Sequence, residues 1–272
     1  MKKTLHTFVV LAYKESAFLE DCIKSVINQR YRSNVLIATT TDNEYIREMA
    51  KKYNLKVVVG KHTNIGGDFD FAVSVGNTEL VTVAHQDDLY DYEYSYKVVE
   101  KYKEYKDSSI IFTDYYEIRD GKKVESNTNL KIKRAILLPL RNTKKCDRES
   151  RKKWAIKFGN SISCPAVTFV KNNSPQKIFE SEYKSNVDWL AWARLSKLNG
   201  RFTYIKDMLM GHRISEESTT TDIVKQGIRT KEDFDIYSMF WPKFIAKIFT
   251  KVYRNSEKSN KLKKINKICC MI

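Results

Sequence analysis

The first hundred residues predict an α/β fold in which helices flank a mostly parallel, Rossmann-like sheet. Short apolar runs alternate there with segments whose apolar residues recur at helical spacing. The runs are apolar at successive positions, as expected for strands that are covered on both faces. This alternation indicates parallel strands joined by helical crossovers. Ligands of such sheets bind in the crevice beyond the carboxyl ends of the strands.

Four strands and three helices are predicted in this half of the chain. The strands are Thr7–Ala12, Val35–Ala38, Lys56–Val59 and Leu80–Ala84. The first helix follows Phe18, the second spans about Asn43–Tyr53 with Asp42 or Asn43 as its N-cap, and the third follows Gly66-Gly67. The loops expected at the ligand edge are therefore 13–15, 39–42 and 85–90.

From residue 109 onwards the pattern changes to hairpins, loops and shorter helices. Strands are predicted at 110–118 and 122–125, turning at Asp120-Gly121, and then at 166–170, 202–205 and 208–211. Helices are predicted at 187–198 and, with loops between them, over 131–157. We expect one domain over 1–230, in which the pattern changes at about residue 108. A basic helical extension and tail follow over 231–272.

The net charge of +16 resides in two segments. Residues 131–157 have a net charge of +9 and residues 241–272 one of +8, so the rest of the chain is near neutral. Such patches attract nucleic acid, anionic lipid or phosphorylated substrates. Because the patches lie outside the α/β unit and no RNP-type or zinc-finger pattern appears, a nucleic-acid-binding protein is the less favoured alternative.

The cysteine pattern and the hydropathy together predict a cytoplasmic location. The five cysteines show neither metal-ligand spacing nor an even disulfide framework, which favours a reducing compartment. No apolar run approaches the ~20 residues that span a bilayer. We therefore expect a cytoplasmic protein that contacts a membrane, if at all, peripherally at its inner face.

Adjacent acids follow the fourth predicted strand in the motif Gln86-Asp87-Asp88. Paired carboxylates at the end of a strand suit a hard divalent cation that also bridges a diphosphate. Alternatively, Asp87 or Asp91 caps a helix that begins near Tyr92. The position at the ligand edge of the sheet favours the cation.

Two further motifs offer catalytic side chains. Asp188 lies between aromatic residues at a predicted helix start, where a shielded carboxylate suits general base catalysis and an N-cap is the alternative. His212-Arg213 follows an apolar run, and the pair suits metal or phosphate oxygens, although a solvated loop is the common alternative.

Taken together, these motifs resemble family 2 glycosyltransferases with the GT-A fold. The resemblance covers about 5–225 and rests on the order of the motifs Val9-Val10-Leu11-Ala12-Tyr13-Lys14-Glu15, Asn64-Ile65-Gly66-Gly67-Asp68, His85-Gln86-Asp87-Asp88, Val187-Asp188-Trp189 and His212-Arg213. It implies inverting transfer from a nucleotide-diphosphate sugar to a saccharide or lipid-linked acceptor, with Mg²⁺ or Mn²⁺, in the building of a surface polysaccharide.

The resemblance also implies a nucleotide-binding half over about 1–108 and an acceptor half over about 109–230, and it implies roles for individual residues. Asp88 would ligate the metal, and Asp188 would deprotonate the acceptor hydroxyl. The nucleotide-sugar would contact Ala12, Tyr13, Glu15, Thr39, Thr40, Asp68, Gln86, Asp87, His212 and Arg213. Gln86 and Asp87 would face ribose and diphosphate, while His212 and Arg213 would help to neutralise the leaving diphosphate.

Two departures from the family pattern leave alternatives open. Thr39-Thr40-Thr41 stand where many members have an Asp pair, and His85 replaces the first acid of a DxDD pattern. A donor-binding pseudoenzyme and an enzyme that processes nucleotides or sugar phosphates are therefore alternatives within this fold.

The C-terminal segment 237–254 predicts a basic amphipathic helix with Pro242 in its first turn. One apolar face is predicted to contain Trp241, Phe244, Ile245, Ile248, Phe249 and Val252. Such a helix either binds an anionic membrane surface, together with the tail up to residue 267, or packs on the domain.

Overall fold

The computed structural model describes residues 4–214 and 228–254 and confirms the α/β fold. The strands are β1 (His6–Ala12), β2 (Asn34–Thr39), β3 (Lys56–Val59), β4 (Leu80–His85), β5 (Leu89–Tyr90), β6 (Ser108–Arg119), β7 (Lys122–Val124), β8 (Val167–Val170) and β9 (Arg201–Ile214). The helices are α1 (Leu19–Ile27), α2 (Glu44–Lys52), α3 (Ile65–Val75), α4 (Tyr94–Glu104), α5 (Thr128–Ile136), α6 (Glu149–Trp154), α7 (Val187–Leu195), α8 (Ile228–Ser238) and α9 (243–254). Within these ranges, none of the helices has the length and apolar character needed to cross a membrane.

The strands form one sheet in the order β3-β2-β1-β4-β8-β6-β9-β5, with β7 paired to β6. The first four strands are parallel, as the sequence predicts. Strand β8 runs antiparallel to both β4 and β6, whereas β6 and β9 are parallel. The parallel half of the sheet is therefore β3-β2-β1-β4, and the strands beyond β4 form a mixed half.

Helices α2 and α3 begin at asparagine caps. The Asn43 side chain accepts the N–H of Ile46, which confirms Asn43 as the cap of α2. Asn64 accepts the N–H of Gly67, so α3 begins before the two glycines. A Cβ on Gly66 would lie 2.3 Å from the carbonyl oxygen of Phe179, and glycine therefore allows α3 to approach this loop.

Strand β9 differs from its prediction because it is one long strand. The two predicted pieces, 202–205 and 208–211, are joined through the exposed residues Lys206 and Asp207. The register against β6 shifts near Asp114, which accommodates this irregular stretch. The continuation brings the end of β9 beside β5, next to the acidic motif that follows β4.

Two apolar layers cover the two faces of the sheet. One layer packs α1, α2 and α4 against the strands. The other contains α3 and α7, including the fully buried Trp189 and Trp192. Burial of each such side chain stabilises the fold by roughly 2–3 kcal/mol.

The C-terminal helices pack on the layer that contains α7. Tyr237 and Ala246 are buried there, and Trp241, Phe249 and Tyr253 pack against it. Only part of the predicted apolar face is covered in this way, because Phe244, Ile248 and Val252 are exposed. Residues 255–267 of the predicted membrane contact lie outside the described residues, and the division at residue 230 stays a prediction.

Candidate active site

The loops after β1 and β4 are joined by the amide of Gln86. Its Nε2 donates to the Tyr13 carbonyl at 2.9 Å, and its Oε1 accepts the Tyr13 N–H at 3.0 Å. Both ends of the amide are thus used within the protein. The predicted contact of Gln86 with ribose and diphosphate stays a prediction, and in the structure its side chain positions the Tyr13 loop.

The two acids after β4 have different surroundings. Asp87 is partly exposed, whereas Asp88 is fully buried. Asp88 Oδ1 accepts the N–H of Arg213 at 2.9 Å and lies 3.0 Å from Nδ1 of His212. The sequence correctly grouped these motifs at one edge of the sheet. Asp88 therefore fixes the end of β9, and Asp87 is the acid of the pair that faces solvent.

The helix-cap alternative does not account for Asp87. Helix α4 begins at Tyr94, and the residue at its N-cap position makes no side-chain cap bond. Asp91 accepts the N–H of Glu93 at 3.0 Å, so this acid, and not Asp87, supports the start of α4. Asp87 is therefore not needed for the helix.

His85, Asp87 and Asp88 form a group that fits a divalent cation. One ligand atom from each lies within 4.8 Å of the others. Nε2 of His85 is buried and has no hydrogen-bond partner among the described residues. A buried nitrogen without a partner is costly unless a ligand satisfies it, and a cation would do so here. The residue that departs from the family pattern thus joins the predicted ligand Asp88.

The pKa shifts in this group follow from burial and crowded charge. Burial lowers the pKa of His85, while burial and then the neighbouring Asp88 carboxylate raise that of Asp87. Burial acts to lower the pKa of His212, but the Asp88 carboxylate raises it above its ordinary value. Two carboxylates held this closely repel each other, and a bound cation would relieve that repulsion.

The end of β2 supplies a second polar group. The Thr40 hydroxyl donates to Asp68 Oδ2 at 3.2 Å, and His62 Nδ1 lies 2.8 Å from the same oxygen. Asp68 Oδ1 is buried without a partner among the described residues. A carboxylate from α3 therefore stands beside the threonines that replace the usual acids.

The remaining predicted nucleotide contacts lie around the same edge. Ala12 is buried at the end of β1, and Tyr13 and Glu15 are exposed in the loop that follows. Thr39 is also fully buried, and its hydroxyl accepts the N–H of Thr41 at 3.1 Å. The predicted contact of Thr39 with the nucleotide stays a prediction, and in the structure the Thr39 side chain shapes the loop from within.

Asp188 lies in the first turn of α7 and not at its N-cap. Its Oδ2 accepts the side-chain N–H of Asn160 at 2.7 Å. The neighbouring tryptophans are part of the core, where Trp189 donates to the carbonyl of Ile156. Asn160, rather than an aromatic shield, thus orients the candidate base.

Residues 7–169, more than half of the chain, match the sequence profile of glycosyl transferase family 2. The chain belongs to this family. The matched span ends at β8, so Asp188, His212 and Arg213 lie beyond it.

Solved structures share the fold of this transferase. One is S. aureus TarS 1-349 in complex with UDP-GlcNAc, with a TM-score of 0.59 at 14% identity over 91% of this chain and 70% of that one. Another is mannosyltransferase PcManGT from Pyrobaculum calidifontis in complex with GDP-Man and Mn²⁺, with a TM-score of 0.56 at 11% identity over 90% and 69%. A search of curated proteins found no match to the sequence.

The structure adds site residues of the transferase that the sequence reasoning missed. His62 and Asn160 contact the predicted residues Asp68 and Asp188. These contacts join residues from separate loops and helices, and no local motif marks either of them. The sequence showed His85 only as a departure from the family pattern. The structure places it beside Asp87 and Asp88, which is the reason to include it in the cation-fitting group.

Proposed function

We propose that this transferase moves a sugar from a nucleotide-diphosphate donor to a hydroxyl of a saccharide or lipid-linked acceptor, with inversion, as a step in building a surface polysaccharide. The observation that supports this most is the group of His85, Asp87 and Asp88, which fits a divalent cation at the end of β4. The carboxylate of Asp188 interacts electrostatically with His85 of this group, which supports a role for Asp188 beside it.

Asp188 would act as the base in a single displacement. As the acceptor oxygen bonds to the anomeric carbon, the bond from that carbon to the diphosphate breaks, and the acceptor proton passes to Asp188. Asn160 donates to one carboxylate oxygen and so fixes the direction of the base. One displacement from the face opposite the leaving group inverts the anomeric carbon.

A divalent cation held by His85, Asp87 and Asp88 would neutralise the diphosphate as it leaves. The imidazole in this set favours Mn²⁺ over Mg²⁺, since Mg²⁺ prefers oxygen ligands alone. Arg213 donates from Nε to the Asp87 carbonyl at 2.9 Å and contributes positive charge at the same edge. His212, held by Asp88, lies beside it.

Nucleotide titration tests this proposal. UDP, GDP and dTDP are titrated calorimetrically into the protein, with and without Mn²⁺, and into Asp87→Asn. Binding of one nucleotide that needs both Mn²⁺ and Asp87 supports the donor site, whereas no binding under any condition overturns it. Hydrolysis of the matching nucleotide-sugar, dependent on Mn²⁺, excludes the pseudoenzyme.

We further propose that α9 contacts an anionic membrane. Phe244, Ile248 and Val252 recur every four residues and are 68%, 59% and 60% exposed, so they form an apolar stripe on the outer side of the helix. The basic residues Lys243, Lys247, Lys251 and Arg254 are exposed on the same helix. An apolar stripe flanked by lysines suits the boundary between headgroups and acyl chains, where a lipid-linked acceptor resides.

Vesicle flotation tests the membrane contact. The full chain should float with phosphatidylglycerol vesicles and not with phosphatidylcholine vesicles. Joint replacement of Phe244, Ile248 and Val252 by serine should abolish flotation, while Leu198→Ser, an exposed apolar residue elsewhere, should not. Undiminished flotation of the triple variant contradicts the proposal.

A further inference from the structure

Lys133, in the last turn of α5, directs its ammonium group towards the mixed half of the sheet. Its Nζ donates to the hydroxyl of Tyr115 at 2.9 Å. Tyr115 is a buried residue of β6, and its ring meets that of His212 edge to face with centroids 6.1 Å apart. Lys133 therefore reaches the candidate site through one intervening aromatic residue.

The bonds of Lys133 contrast with those of two nearby cations. Arg134 pairs with Asp114 at 2.6 Å and donates to two backbone carbonyls. Lys152, which is almost fully buried, donates to the carbonyls of Leu198 and Gly200 at 2.5 and 2.9 Å. Arg134 and Lys152 are thus satisfied by the protein itself.

Among the described residues, Lys133 makes one hydrogen bond, to the Tyr115 hydroxyl, although an ammonium group has three donors. Across residues 4–214 and 228–254, no carboxylate lies within 4.0 Å of its Nζ. Lys133 is partly buried, so its ammonium group remains accessible to an anion from solution, which would compensate the unpaired charge.

Lys133 interacts electrostatically with charged groups on both sides of the candidate site. Burial acts to lower the pKa of Lys133, but the net shift is upward because of Tyr115, Tyr253 and Asp188. The amine therefore stays protonated at neutral pH. Its positive charge in turn lowers the pKa of His212. The geometry links Lys133 to His212 on β9 through Tyr115, and its charge also interacts with that of Asp188 on α7.

We propose that Lys133 binds a phosphate oxygen of the reactants where the donor and acceptor meet. This inference rests on the proposed function, because it takes the anion from a sugar-transfer substrate. Two sources share this chemistry, namely the diphosphate of the donor and a phosphate of a lipid-linked acceptor. With the donor, Lys133 would contact the leaving diphosphate from the side of the acceptor half.

Calorimetry on Lys133→Met, Lys133→Arg and Lys131→Met tests the assignment. Lys131 is an exposed lysine of the same helix, so its variant removes one charge without touching the site. The probes are the nucleoside diphosphate that binds the wild-type protein with Mn²⁺, and farnesyl diphosphate. Loss of one charge-assisted bond should weaken the affected probe about 10- to 100-fold in Lys133→Met. Lys131→Met should bind as the wild type does, and Lys133→Arg should recover much of the loss.

The two probes separate the sources of the phosphate. Weakened binding of the nucleoside diphosphate assigns the contact to the donor, and a loss confined to farnesyl diphosphate assigns it to the acceptor. If Lys133→Met binds both probes as the wild type does, the inference is overturned while the proposed function stands. If the wild-type protein binds no nucleoside diphosphate, the proposed function itself has failed.

Discussion

The parallel and mixed halves of the sheet hold their candidate site residues in different ways. In the parallel half, the loops after β1, β2 and β4 are fixed by hydrogen bonds between side chains and backbone groups. The Gln86 amide donates to the Tyr13 carbonyl, and the Lys14 N–H donates to the Thr41 hydroxyl. In the mixed half, Asp188, His212 and Lys133 lie on regular elements. The parallel half thus depends on short contacts between neighbouring loops, and the mixed half depends on how distant elements pack.

The start of α7 shows how far that dependence extends. The buried Glu232 of α8 accepts the backbone N–H groups of Lys184, Ser185 and Asn186 at 2.7–3.0 Å. The side chain of Asn186 also donates to Asp233. Helix α8, more than 40 residues further along the chain, therefore fixes the turn that presents Asp188.

The largest expected effect separates donor binding from transfer. Asp188→Asn should lower sugar transfer about 10²- to 10⁴-fold, the range for loss of a general base, and Asp87→Asn should lower it as well, because it removes one carboxylate of the cation-fitting group. Asp188→Asn should still bind the nucleoside diphosphate with unchanged affinity, whereas Asp87→Asn should lose the Mn²⁺-dependent part. Calorimetry and transfer assays on the same preparations measure both.

Asp91→Asn is the matched control for this pair. Asp91 is an exposed acid close to the cluster, and it supports α4 instead of the cation site. Its variant should therefore transfer sugar at nearly the wild-type rate. Equal loss of nucleotide binding in Asp188→Asn and Asp87→Asn would show that nucleotide binding and transfer do not depend on separate halves of the sheet.

Glu232→Gln tests the long-range support of α7. A glutamine places an N–H₂ group against backbone N–H donors and removes the charge, so the free energy of unfolding should fall by about 2–4 kcal/mol. Because α7 presents Asp188, transfer should slow while nucleotide binding is kept. Urea unfolding is compared with Glu180→Gln, an exposed acid that should change stability by less than about 0.5 kcal/mol. Unchanged stability and an unchanged transfer rate in Glu232→Gln would show that Glu232 does not support the start of α7.

His6 gives the parallel half a pH-dependent stability. Its nitrogens lie 2.8 Å from Ser33 Oγ and Thr82 Oγ1, and burial lowers its pKa from 6.5 to about 3. Below about pH 6.5 the unfolded chain takes up a proton that the folded chain refuses, so stability falls as pH falls. The contribution lost between pH 7.5 and 5 is about 2 kcal/mol.

Urea unfolding at the two pH values, on the wild-type protein and on His6→Asn, measures this contribution. Other titrating groups are common to both proteins and cancel in the difference. The variant should be less stable at pH 7.5 and should lose about 2 kcal/mol less than the wild type on acidification. Parallel losses in the two proteins would mean that His6 is not the group responsible.

The sequence predicted the parallel half well because its signals are local. Each strand and helix there has its own periodicity, and Asn43 is a recognisable cap. In the mixed half, the pairing of β8 between β4 and β6 joins segments far apart in the chain, and no periodicity encodes it. The division of β9 into two predicted strands was wrong, because its irregular stretch is exposed and polar.

In the candidate site, too, the sequence revealed what local motifs encode and missed what depends on long-range contacts. The motifs that contain Asp88 and His212 were correctly grouped by strand ends and by family resemblance. The burial of Asp88 could not be read from the sequence, because it depends on an N–H from Arg213, 125 residues away. Asn160 and Lys133 gave no signal, since an asparagine in a loop and a lysine in a basic stretch are ordinary until their neighbours are known.

The smallest expected effect concerns the turn between β6 and β7, in the mixed half. Asp120 and Gly121 both have positive φ, 51° and 72°, and a Cβ on Gly121 would meet no atom within 4 Å. Gly121→Ala should therefore cost about 1 kcal/mol through backbone strain alone. Gly121→Asn should cost less, because asparagine tolerates this conformation better than alanine does. Urea unfolding measures both, and nucleotide binding should stay unchanged, since the turn contacts none of the donor loops. An alanine variant as stable as the wild type would show that the turn shifts freely, and that the mixed half is less firmly set at its edge than at α7.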